Sequence, residues 1–168
     1  MHKIALLCHG RLHDQYAPYY ESALQIDVRK NVDPDIVHDL QKGMPALYHK
    51  LDLIQTVYWP QLHRYKYRYK KHTYYKNKNI TKNMVRRDEF NIDLLKSIAA
   101  SLNRGGFFVF KQNGYSRRII LRCKKLGLFP VSLEFVENKL GLTIKPRINI
   151  SSKPDDHSKW CMICLQKY

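Results

Sequence analysis

The densest concentration of chemically able side chains in the sequence is the run LHRYKYRYKKHTYYKNKNITKNMVRR at 62–87. It holds ten of the chain's 30 Lys and Arg residues, and no Asp or Glu lies between Asp52 and Asp88. Arg64, Lys66, Arg68 and Lys70 alternate with Tyr65, Tyr67 and Tyr69, and Lys71 extends the cationic row. A period of two places cations on one face of an extended segment and rings on the other. Cations contact phosphates, and rings stack on unpaired bases for about 1–3 kcal/mol each. These residues are the candidate nucleic-acid contacts. A solvated loop whose tyrosines pack on the body of the domain is one alternative, and an acidic protein partner is another. A membrane surface fits less well, because no long amphipathic apolar face accompanies the charge.

Other constellations carry less. Cys161 and Cys164 form a C-x-x-C with His157 nearby. Zinc needs a turn that brings both sulfurs to one ion. This run lacks Gly and reads as a strand, where positions three apart point to opposite faces. No metal site is therefore expected. His9 and His13 are four apart, but Gly10 weakens a helical pair. There is no Ser-His-Asp order, P-loop or nucleophile elbow.

The rest of the chain must position the basic run. At 168 residues, of which 44% are hydrophobic, it is expected to form a single α/β domain over 1–168, with 62–87 as an insertion. The formal charge of +16 is uneven. Outside the run, 20 Lys and Arg face 14 Asp and Glu. No apolar run approaches the ~18 residues of a spanning helix. The N-terminal MHKIALLCHGRLHD has too short an apolar core for a secretory signal. Four Cys make no disulfide framework. A cytoplasmic, intracellular protein is expected. Frequent Lys, Asn, Tyr and Ile suit an AT-rich genome, which leaves a virion location open as well.

Short apolar runs alternate with helical patterns. Strands are predicted at 3–10, 22–28, 34–40 and 51–60. A helix is predicted over 91–106, with Asn91 as N-cap and Gly105-Gly106 as its stop. Leu94, Leu95, Ile98, Ala99 and Leu102 form its apolar stripe. A fifth strand follows at 107–112, a second helix at 116–128, and late strands at 131–138 and 160–166. Continuous apolar strands alternating with helices predict a mostly parallel, doubly wound sheet. The late strands suggest an antiparallel addition at its C-terminal edge.

This order of elements resembles the class I S-adenosylmethionine-dependent methyltransferase fold over nearly the whole chain. The most specific stretch is LLKSIAASLNRGGFFVF at 94–110, similar to that family's helix, Gly-Gly turn and fifth strand. The resemblance implies S-adenosylmethionine as cofactor. It implies a backbone approach at Gly10, a ribose-binding carboxylate at Asp27 and an adenine contact at Asp39. Asp27 also reads as a helix cap or a partner for Arg29, and Asp39 as an N-cap. Lys111 matches the place of a fifth-strand Lys used by ribose 2′-O methyltransferases.

The departures from the family are as informative. The turn after the first strand, Cys8-His9-Gly10-Arg11, is not Gly-rich. Val57 and Lys159 stand near where the 2′-O enzymes carry Asp and Glu. Thr56-Val57-Tyr58-Trp59-Pro60 lacks the amide or acid that amino-methylating enzymes place after the fourth strand. The expected protein is thus a methyltransferase-like chain with a degenerate cofactor loop, binding nucleic acid or serving as a structural subunit. The alternative is an active methyltransferase acting on RNA or DNA.

Overall fold

The structure, a computed structural model, describes residues 2–8, 22–56, 63–66, 86–113, 117–145 and 160–168. Seven strands form one sheet: β1 (Ile4–Leu7), β2 (Leu24–Asp27), β3 (Ile36–Val37), β4 (Leu51–Thr56), β7 (Leu102–Asn113), β8 (Leu128–Val131) and β9 (Trp160–Lys167). Their order is β3-β2-β1-β4-β7-β9-β8. The first five are mutually parallel, with Leu7 in register with both Ile26 and Thr56. β9 runs antiparallel to β7 and β8 and lies between them, one position in from the edge. Two further strands, β5 (His63–Lys66) and β6 (Arg86–Phe90), pair antiparallel as a separate ribbon.

Both faces of the sheet are covered, which explains the unbroken apolar run FFVF in β7. Phe108 and Phe110 turn to one face and stack at 4.8 Å. There they meet α1 (Ile92–Ser101) through Leu94, Leu95 and Ile98, and α2 (Arg117–Lys124) through Ile119, Ile120 and Cys123. Phe107 and Val109 turn to the other face, against Val136 and Leu140 of α3 (Leu133–Leu140) and against Ile144.

Two expectations are corrected. Residues 131–138 do not form a strand. β8 ends at Val131, and α3 follows. Ser132 caps that helix by accepting from the Phe135 N–H at 3.1 Å, and Gly141 closes it at φ 62°. The alternation of Val131, Leu133 and Phe135 suggests a strand, but Leu133, Val136 and Leu140 share a helical stripe and the cap decides between them.

Gly105 and Gly106 do not stop α1 either. The helix ends at Ser101, and Leu102 is already extended at φ −84°, ψ 143°. The Lys167 ammonium on β9 donates to the Ala99 and Leu102 carbonyls at the helix end. The glycine pair lies inside β7, where its pairing with β4 shifts register between Leu51 and Leu53. A Cβ on Gly106 would stand 2.9 Å from the Leu51 carbonyl oxygen, so the two backbones approach more closely there than any side chain permits.

Candidate functional site

In the sheet order, β1 has β2 on one side and β4 on the other, and the chain turns outward in opposite directions from this pair. Open α/β sheets bind ligands beyond the carboxyl ends of their strands at such a switch point. Cys8, Asp27 and Thr56 stand there, at or just past the ends of β1, β2 and β4.

Cys8 takes the left-handed backbone region, φ 53°, and its N–H donates to the Ile26 carbonyl at 2.8 Å. Burial pushes its thiol up to about 12, and the Asp27 charge adds to this while Arg29 opposes it. The thiol is therefore protonated at neutral pH and is no activated nucleophile.

Asp27 is 2% exposed. One carboxylate oxygen accepts from the Arg29 backbone N–H at 3.0 Å and from its Nε at 3.2 Å. The other accepts from the second guanidinium nitrogen at 3.2 Å. In a nearly extended chain, residues i and i+2 share a face, and Asp27-Val28-Arg29 uses that relation. This is the Arg29 partnership weighed from the sequence.

Asp39 accepts from the Gln41 N–H at 3.0 Å and caps the short 3-10 turn Leu40–Lys42. That turn is fastened to α1. Asn91 is fully buried, and its Oδ1 caps Leu94 N–H at 3.1 Å. Its Nδ2 reaches the Leu40 and Gln41 carbonyls at 3.5 and 3.3 Å. Ser97 accepts from the Met44 N–H at 2.8 Å. The Asn91 cap is legible in the sequence, but its bridge to the Asp39 turn is not. Thr56 was also missed: its hydroxyl is buried and has no hydrogen-bond partner among the described residues.

The described parts of the basic run, His63–Lys66 and Arg86-Arg87, belong to the connection between β4 and α1. A helix between two parallel strands starts at the carboxyl end of the first, so Asn91 and the β6 strand that leads into it root there. Arg64, Tyr65 and Lys66 lie on β5, as the period of two predicts for an extended segment. Arg64 is in register with Glu89, and Lys66 with Arg86. Tyr67, Arg68, Tyr69, Lys70 and Lys71 lie outside the described residues, as does Gly10. Lys111 is on β7 opposite Met162, beyond the Gln55–Val109 pair, and so at the same end of the sheet.

Among the described residues, no three His, Cys, Asp or Glu side chains come together as metal ligands. Cys161 and Cys164 lie on β9; burial, and then Glu137, push the Cys164 thiol up to about 12. No helix among the described residues is long and apolar enough to cross a membrane.

No protein-family model and no curated protein matches the sequence. Solved structures do match in three dimensions. The N-methyltransferase NodS from Bradyrhizobium japonicum superposes with a TM-score of 0.55 at 12% identity, over 99% of this chain and 86% of its own. An S-adenosylmethionine-dependent methyltransferase from Clostridium acetobutylicum gives 0.57 at 9%, over 98% and 83%. A TehB-like S-adenosylmethionine-dependent methyltransferase from Corynebacterium glutamicum gives 0.52 at 15%, over 99% and 79%. The chain thus has the class I methyltransferase-like α/β fold. At these identities the likeness is one of fold, and activity rests on the site itself.

Proposed function

We propose that this is a methyltransferase-fold protein, degenerate at its cofactor end, that binds nucleic acid or serves as a structural subunit through the basic Tyr-rich segment 62–87. The observation that carries the reading is the engagement of both candidate cofactor carboxylates by their own chain. Asp27 holds Arg29, and Asp39 caps Leu40–Lys42. S-adenosylmethionine supplies an electrophilic methyl group when bound. Ribose recognition would need a carboxylate with open acceptor sites facing solvent, whereas Asp27 is buried and receives three donors from Arg29. These residues do not fit the cofactor as they stand.

The charge supports the nucleic-acid half of the reading. Ten cations in a segment without acids must meet an anion or repel one another, and the segment is rooted where this fold admits ligands. Affinity for RNA or DNA oligonucleotides is expected to fall steeply with salt as counterions are released. Replacing 62–87 by a Gly-Ser linker should remove most of that slope in a filter-binding titration. An unchanged slope would place the footprint elsewhere. Ala at Tyr65, Tyr67 and Tyr69 should weaken single-stranded ligands more than duplex, and equal losses would argue against stacking.

A second reading, an active methyltransferase on RNA or DNA, draws support from the neighbours of this fold, one of which holds S-adenosylhomocysteine. Calorimetry decides: micromolar binding of S-adenosylhomocysteine, lost in Asp27→Ala, would replace the first reading by the second.

A further inference from the structure

We propose that the end of the sheet opposite the switch point is a second nucleic-acid surface, which takes the phosphates and unpaired bases of a single strand. The inference rests on the nucleic-acid reading and adds to it a surface distinct from 62–87.

The sequence holds a second basic stretch that supplies it. No Asp or Glu lies between Asp93 and Glu134, and eight Lys and Arg fall in that interval. The fold carries part of this stretch to the end where β4 and β7 begin. Leu51 is in register with Leu102, so Lys50 and Arg104, each within two residues of that pair, stand there, and both are exposed. β9 finishes beside them. Lys167 donates to the Leu102 carbonyl at 3.3 Å and is in register with Leu128, the first residue of β8. The Tyr168 N–H donates to the Gly127 carbonyl at 3.0 Å, and the Gly127 N–H to the Lys124 carbonyl at 3.1 Å. These bonds bring the exposed Lys124 and Lys125 to the same end. Neighbouring strands lie about 4.8 Å apart, so β4, β7, β9 and β8 spread the cations over about 15 Å.

This charge is not answered within the fold. None of Lys50, Arg104, Lys124 and Lys125 has an ion-pair partner among the described residues. Asp52, near the start of β4, already accepts from the Lys3 N–H and the Asn103 amide. Burial, and then the charge of Lys50, lower the Lys167 pKa, so these two ammonium groups stand close enough to repel. A phosphate beside them replaces repulsion with attraction. Aromatic rings accompany the cations. Tyr168 is 65% exposed, and its ring is braced at 86° against Phe129 with centroids 5.4 Å apart. Tyr48, two residues before Lys50, is fully exposed. A braced, exposed ring loses little freedom when a base stacks on it, and stacking asks for an unpaired strand. Charge alone would suit an acidic protein as well, and the rings favour the single strand.

The test is fluorescence anisotropy on the full chain, with labelled oligo-uridine and its duplex with oligo-adenosine as probes, over a series of KCl concentrations. Lys50→Ala, Arg104→Ala, Lys124→Ala and Lys125→Ala combined should lower the slope of log affinity against log salt for oligo-uridine by about 3, since each phosphate contact on a single strand contributes about 0.7. Affinity at low salt should fall at least about tenfold. Lys30→Ala, Lys42→Ala, Lys96→Ala and Lys139→Ala combined remove the same charge from exposed positions elsewhere and should change the slope by less than about 1. Equal losses from the two sets would reduce the effect to net charge and overturn the surface. Tyr48→Ala with Tyr168→Ala should weaken oligo-uridine about fivefold or more and the duplex little, and equal losses would count against the stacking rings. Unlabelled oligo-uridine should displace the probe at least about tenfold more effectively than polyglutamate of equal charge. Equal displacement would give the surface to an acidic protein instead. If the fourfold variant melts early, Lys124→Gln with Lys125→Gln, at the exposed end of α2, should lower the slope by about 1.4. If replacing 62–87 abolishes binding while these variants match wild type, the nucleic-acid reading stands and this surface falls. If wild type binds neither probe, both fall.

Discussion

β2 and β3 are parallel neighbours joined by Val28–Asp35, which hold a single 3-10 turn at Lys30–Val32. β4 and β7 are also parallel neighbours, but their connection ends in α1, ten residues with a buried stripe and a capped start. A parallel crossover usually needs a dozen or more residues and a helix. Among the described residues, the β2–β3 connection holds only this turn, while α1, α2 and α3 lie against the two faces of the sheet around β7. The difference separates two tasks. Strands β1, β4, β7 and β9 with the helices hold the core, and Ile26 of β2 belongs to it. The β2–β3 edge holds Asp27 and Asp39, whose carboxylates accept from Arg29 and from the Gln41 N–H.

If this division is real, matched truncations should differ sharply. Phe108→Ala, in the β7 core against α1 and α2, is expected to cost about 3–5 kcal/mol of unfolding free energy. Ile36→Ala, on the two-residue edge strand β3 where the side chain is only half-buried, should cost about 1 kcal/mol or less. Comparable losses in urea titration would show that the β3 edge is packed as firmly as β7. Gly106→Ala comes next, at about 1–3 kcal/mol, because its new methyl meets the Leu51 carbonyl at 2.9 Å. At Gly105 a Cβ would meet only the Gln166 amide, at 4.0 Å, but the residue sits at φ 81°, so Gly105→Ala should cost stability through backbone strain where Gly106→Ala costs it through the close approach.

Asn91 joins the two regions, so its removal measures their coupling. Asn91→Ala should cost about 1–3 kcal/mol, more than an ordinary cap, since the Leu40 and Gln41 carbonyls also lose a donor. Hydrogen exchange should then speed up at Leu94 and also at Lys42 and Gly43, whose N–H groups close the 3-10 turn. Faster exchange confined to α1 would show that the turn is held by other means.

Much of this division is readable from residue order, and its exceptions have physical causes. FFVF and WCMICL are apolar without interruption because both sheet faces are covered, so β7 and β9 follow from local pattern. Residues 131–138 mislead because an alternation of two and a helical stripe coexist there, and the Ser132 cap selects the helix. Gly105-Gly106 look like a helix stop because glycine serves both that purpose and a close strand approach, and only the Leu51 contact tells them apart. At the site, Asp27 is recognisable by its place after an apolar run, and its Arg29 partner by a spacing of two. The Asn91 bridge depends on contacts with residues distant in sequence, as does the burial of Thr56, whose hydroxyl has no partner among the described residues, and no local pattern encodes either.

The amino end of the sheet offers the smallest and most selective test. Asp52 begins β4 and ties β1 to β7 there. Its carboxylate accepts from the Lys3 N–H at 2.8 Å and from the Asn103 amide at 2.7 Å, with His2 at 3.8 Å. Burial alone would raise its pKa, but the Lys3 and Asn103 hydrogen bonds and the His2 and Lys3 charges outweigh burial and hold it below the ordinary carboxylate value. A depressed folded-state pKa gives stability that is fully present above the unfolded value of about 3.9 and is lost as pH falls through the folded one. Wild-type stability should therefore drop more steeply than that of Asp52→Asn as pH falls below about 4. The side chain is 30% exposed, so the difference should be about 1 kcal/mol or less and should shrink with added salt. Parallel pH curves for the two proteins would mean that this clasp does not help to hold β1, β4 and β7 together. Divergent curves with unchanged exchange at the Asp39 turn would show that the two ends of the sheet are stabilised independently.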